Sequence, residues 1–104
     1  MDRFMRILVF FDLPVKSKKN RKEATRFRNF LLKDGYFMLQ YSVYVRICKG
    51  IDSVEKHRLR IKQNIPAEGA IRVLTITEKI YGTIDIFLGR PNNSDEPYEQ
   101  LTIL

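Results

Sequence analysis

Asp12 closes the run Arg6-Ile7-Leu8-Val9-Phe10-Phe11-Asp12-Leu13-Pro14, and the segment after it carries Lys16, Lys18, Lys19, Arg21, Lys22, Arg26, Arg28 and Lys33 against Glu23 alone. A carboxylate at a strand end is a hard oxygen ligand, the kind a metal nuclease uses to hold a divalent cation that neutralises phosphate and activates water. The rest of the chain offers little to join it. Asp2 stands at the chain end, Asp34, Asp52 and Glu55 at helix ends, and Glu78 and Asp85 near strands without partner spacing. Magnesium often binds through one or two carboxylates and keeps several waters, so two copies of Asp12 brought together would suffice for Mg²⁺. The alternative is that Asp12 only caps the turn ahead of the helix. The basic segment has two readings as well, a solvated helix face or a set of phosphate contacts made by Lys16, Lys18, Lys19, Arg21, Lys22, Arg26 and Arg28. Its density beside the acid favours phosphate.

Branched and aromatic side chains over Ile7–Phe11 predict a strand, which Pro14 stops. Alternation sets Ile7, Val9 and Phe11 on one face and Leu8, Phe10 and Asp12 on the other, so both faces look buried. A second copy of the chain is the economical cover for the second face and would bring two Asp12 residues towards one axis. Ser17 or Asn20 caps a helix running to about Asp34 and closed by Gly35, with Ala24, Phe27, Phe30 and Leu31 as its buried stripe. Tyr36 to Cys48 reads as two strands, or one strand broken near Ser42. A second helix spans Ile51 to about Asn64, with Ile51, Val54, Ile61 and Ile65 inward and the stem of Arg58 filling the stripe. Strands follow over Ala70–Glu78 and Thr83–Leu88. The order predicts an α+β, ferredoxin-like βαββαβ fold with an additional C-terminal strand, both helices on one side of an antiparallel sheet, and a homodimer packed through the sheet face. Residues 1–88 make the domain. Residues 89–104, polar with Leu101-Thr102-Ile103-Leu104 at the end, make a tail for dimer or partner contacts.

Nineteen Lys and Arg against 12 Asp and Glu leave a net charge of +7. The split is uneven, +9 over residues 1–88 and −2 over 89–104. A basic field concentrates polyanions, nucleic acid foremost. One cysteine, Cys48, excludes an internal disulfide and a cysteine zinc cluster and fits a reducing cytoplasm. His57, among Lys56, Arg58 and Arg60, reads as a solvated polar residue. No apolar run is long enough for a signal peptide core or a membrane span, so a cytoplasmic protein without membrane contact is expected. There is no Walker, dinucleotide or EF-hand motif and no plausible Ser-His-Asp set. Val43-Tyr44-Val45-Arg46 lacks the base-stacking signature of RNA-recognition modules, so duplex binding would be mostly to phosphate and sensitive to salt.

The strand ending in Asp12-Leu13-Pro14, the stretch Arg26-Phe27-Arg28-Asn29-Phe30-Leu31-Leu32-Lys33-Asp34-Gly35-Tyr36, Gln40-Tyr41-Ser42-Val43-Tyr44, and Leu74-Thr75-Ile76-Thr77-Glu78-Lys79 together resemble CRISPR-associated protein 2. The wording is most similar to members from type II systems and covers roughly residues 5 to 88. The resemblance implies a homodimer that bridges dimers of the CRISPR integrase in spacer acquisition and supports the double-stranded DNA being inserted. It also implies a metal-dependent endonuclease activity, on single-stranded RNA or double-stranded DNA, with Asp12 as catalytic acid and Mg²⁺ ligand. Tyr44 stands where many relatives carry Phe. A stand-alone, toxin-like ribonuclease is the alternative, and the lack of a glycine-rich pocket speaks against a small-ligand regulatory domain.

Overall fold

The structure, a computed structural model, describes residues 3–90. Asp2 and the tail beyond Arg90, with its Leu101–Leu104 anchor, lie outside them. Strand β1 (Phe4–Asp12) leads to helix α1 (Lys18–Lys33), strands β2 (Phe37–Gln40) and β3 (Val43–Lys49), helix α2 (Ile51–Lys62), strand β4 (Ala70–Thr77) and a short helix α3 (Glu78–Tyr81). The sheet runs β2-β3-β1-β4, with every neighbouring pair antiparallel. This is the expected ferredoxin-like arrangement, with β1 central and chain-distant β4 at its side.

The first helix is bounded by its own chemistry. Ser17 Oγ accepts from Asn20 N–H at 3.0 Å, satisfying one of the orphan amides of the first turn. At the other end Gly35, at φ 93°, takes the left-handed conformation. Tyr36 N–H then donates to the Leu31 carbonyl and Gly35 N–H to that of Leu32, the paired bonds of a Schellman stop. Arg46 reaches across from β3 and donates from Nε to the Asp34 carbonyl at 2.7 Å. Two backbone turns likewise follow from single residues. Ser42, at φ 64°, closes the two-residue turn that divides β2 from β3. Gly69, at φ 102°, leaves room where a Cβ would meet the Asp12 carbonyl oxygen at 2.8 Å.

The core forms on one side of the sheet, where Ile7, Val9 and Phe11 meet Phe27 and Leu31 of α1 and Val54 and Ile61 of α2. Phe11 stands edge-on to Phe27 with ring centroids 5.5 Å apart. The stripe of α2 differs from expectation. Ile51 and Ile65 are exposed, Arg58 points outward, and His57 takes the inward position between Val54 and Ile61. Positions 54, 57 and 61 lie three and four apart, one helical face, and a carboxylate just past the end of α1, Asp34, gives the buried imidazole a partner.

The opposite sheet face is covered in part by the chain itself. Arg6, which shares that face with Leu8, donates from Nε to Glu78 at 3.0 Å and lies 4.1 Å over the Tyr81 ring, fastening α3 there. Leu39 of β2 and Ile84–Leu88 line one cavity. Leu8 and Val45 are buried on this side, whereas Leu74 is 48% exposed and Phe87 89%. The expected further strand over Thr83–Leu88 is not part of the sheet, for these residues carry no regular structure. Among the described residues the outer edge of β4 carries no further strand, because the chain turns through α3 onto the sheet face instead.

Candidate functional site

Asp12 is the last residue of β1, opposite Ala70 of β4, and is exposed. Alternation along β1 sets it on the same side as Leu8 and Phe10, away from the two helices. Among the described residues no group of three or more His, Cys, Asp or Glu side chains is gathered for a metal ion. A single carboxylate suits a hydrated Mg²⁺ as one hard ligand, the remaining positions being water or substrate phosphate. Gly69 and the Leu13-Pro14 turn hold the strand end that carries it.

The seven cations of the basic segment do not form one cluster. Lys18, Arg21, Lys22 and Arg26 line an open recess of about 980 Å³ along the outer side of α1, together with Thr25, Asn29 and Lys33 and with Arg60 and Asn64 from the end of α2. Lys16 lies on the loop before α1. Lys19 lines a separate notch with Glu23 and Glu68. Arg28 leans the other way, 5.7 Å over the Phe11 ring and 5.6 Å over that of Tyr41. Two of the recess cations are also engaged within the protein. Arg21 Nη1 donates to the Val15 and Lys16 carbonyls, pinning the loop. Arg26 makes two bonds of 3.2 Å to Glu23, and these hold the Glu23 carboxyl below its ordinary range. Arg26 also donates to the Asn64 carbonyl at 3.2 Å, tying α1 to the end of α2.

A buried polar network underlies the recess, and the sequence reading missed it. Asp34, at the C-cap of α1, accepts from Arg60 at 2.8 Å on Oδ1 and lies 2.9 Å from His57 Nδ1 on Oδ2. The Asp34 and His57 side chains are 4% and 7% exposed, while that of Arg60 is 47% exposed. His57 is therefore no solvated residue. A buried carboxylate is stable here because both oxygens have partners. Nearby, burial and then the Asp34 charge push the Tyr36 phenol well above its ordinary value, and its hydroxyl has no hydrogen-bond partner. The available signal was the Val54–His57–Ile61 spacing; the bond to Asp34, from a different helix, left no trace in local pattern.

No helix among the described residues is long and apolar enough to cross a membrane. Residues 5–84 match the family described as CRISPR associated protein Cas2. A protein of Acidovorax ebreus is 54% identical over 84% of this chain and 85% of its own length. One from Campylobacter jejuni is 51% identical over 85% of this chain and 62% of its own, and one from Flavobacterium psychrophilum 43% identical over 97% and 89%. All three bear the name CRISPR-associated endoribonuclease Cas2. Fold order and alignment over most of the length agree, and the chain belongs to the CRISPR-associated Cas2 family.

Proposed function

We propose that this chain works in CRISPR spacer acquisition as a homodimeric adaptor, binding double-stranded DNA through its basic helical surface and holding integrase subunits through its edges and tail, residues 89–104. The observation that carries the reading is the asymmetry of the sheet. One side presents the cations of α1 and α2, and the other presents half-exposed apolar residues such as Leu74. A second copy laid on that apolar side buries it and leaves the basic sides outward.

The same pairing brings two Asp12 carboxylates together and supports a second role, the endoribonuclease activity for which the relatives are named. Mg²⁺ bound between them would supply charge neutralisation at phosphate and an activated water. The chain's own part is to hold Asp12 at the rigid end of β1, packed under Gly69. Cytoplasmic location follows from the nucleic-acid partners and the single free thiol.

The test is cleavage of labelled single-stranded RNA and duplex DNA by wild type and Asp12→Ala, with Mg²⁺ and with chelator, beside gel-shift binding across salt. Asp12→Ala is expected to abolish cutting while salt-sensitive duplex binding and spacer integration persist. Loss of integration in a folded, dimeric Asp12→Ala protein would overturn the adaptor role, and undiminished cutting would remove Asp12 from the nuclease.

A further inference from the structure

Lys18, Lys22, Thr25, Asn29 and Lys33 follow one another at intervals of three and four residues, so they form a single stripe along the outer side of α1. All five are exposed. The stripe spans about 22 Å at the helical rise and contains only hydrogen-bond donors and neutral polar groups, with no acid. Beyond its end stands Arg60, whose guanidinium is held at 2.8 Å by the buried Asp34. Arginine carries five donors in a fixed fork, so an arginine anchored on one side and half open to solvent on the other is already oriented towards an incoming anion. The bond from Arg26 to the Asn64 carbonyl fixes the position of this second wall relative to the first.

We infer that this recess, and not the basic segment as a whole, seats the phosphate backbone of a nucleic-acid duplex, with Lys33, Asn29 and Arg60 among its contacts and Lys16, Lys19 and Arg28 outside it. The inference rests on the DNA-binding reading above and gives it a location. A duplex fits better than a single strand because single-strand grooves stack bases on exposed aromatics. The one aromatic ring lining the recess, Phe30, is half-buried and stacked on Phe27 at 6.1 Å. Duplexes present a regular array of phosphates to a straight row of donors. Asp12 belongs to the other side of the sheet, so a duplex seated here is held away from the same chain's Asp12; binding and cutting use different surfaces.

The test compares two double variants of the full chain with equal charge change, Lys22→Glu/Lys33→Glu in the recess and Lys16→Glu/Lys19→Glu outside it. Affinity for a duplex DNA of about 30 base pairs, two to three helical turns, is followed by fluorescence anisotropy across a salt series. The recess pair is expected to weaken binding at least about tenfold and to lower the salt slope by about 2, the loss of two phosphate contacts. The outer pair should change affinity less than about threefold. Asn29→Glu, which adds an acid without removing a cation, should weaken binding as well and guards against misfolding of the double variant. Equal loss in both pairs, or no loss in the recess pair, overturns the location while leaving duplex binding itself intact. Tighter binding of single-stranded RNA than of the duplex overturns the occupant. A wild type that binds no duplex at all overturns both the inference and the reading beneath it.

Discussion

Asp34 concentrates more of the molecule's stability than its place at a helix end announces. It satisfies His57 and Arg60 with separate oxygens while its backbone carbonyl accepts from Arg46. Asp34→Ala strands a buried imidazole and frees Arg60, and unfolding in urea should show a loss of about 3 kcal/mol. Tyr36 behaves oppositely. Its hydroxyl is buried without a partner, a cost of about 1–3 kcal/mol. Tyr36→Phe is therefore expected to stabilise the protein, by about 1 kcal/mol. The pH dependence has a definite sign. The folded phenol titrates above the ordinary value of 10.0, so its contribution is whole below that pH. The contribution is lost as pH climbs from there towards the folded value, because the unfolded chain releases a proton that the folded chain retains. Wild-type stability should fall along that alkaline limb more steeply than that of Tyr36→Phe, measured by denaturant titration at stepped pH.

Helix α1 is the element on which the packing and the proposed duplex binding both depend, and it is made by its ends as much as by its stripe. The buried residues Ala24, Phe27 and Leu31 set its inner face, while Ser17 and Gly35 decide where it begins and stops. Ser17→Ala removes the bond to Asn20 and should cost about 1 kcal/mol by thermal or urea unfolding. The β1 end is more tightly constrained. Gly69→Ala places a methyl 2.7 Å from Leu13 Cδ2 and 2.8 Å from the Asp12 carbonyl oxygen, at φ 102°. The expected result is a loss of about 1–3 kcal/mol, since both steric overlap and the left-handed backbone oppose the change. If Asp12 acts as proposed, cleavage should fall in the same variant even at temperatures where it stays folded.

At the scale of the whole molecule the sheet separates two chemistries, a basic helical side and an apolar side carrying the exposed acid. The chain roofs part of the apolar side with α3 and the segment to Leu88, which accounts for the burial of Leu8 and Val45 but leaves Leu74 and Phe87 open to solvent. A homodimer through this face predicts that Leu74→Glu yields a monomer in sedimentation with an unchanged circular dichroism spectrum. Retention of the dimer would place the interface elsewhere on the molecule.

By itself the sequence determined the elements whose information is local. Alternation in strands such as Ile7–Phe11, three-and-four spacing in Ala24–Leu31, and stops such as Gly35 were enough for the element order from β1 to β4, the ferredoxin-like class and the inner face of α1. Side-chain direction follows from backbone period within one element, so these readings needed no partner. Tertiary structure alone decided what joins different elements. Asp34 meets His57 across 23 residues of chain, and the six cations of α1 from Lys18 to Arg28 divide among the recess, a notch and an aromatic contact because a helix sends neighbouring residues to different sides. The segment after β4 folds onto the sheet face because Arg6 waits there for Glu78 and Tyr81, a juxtaposition that exists only once β1 and β4 are paired.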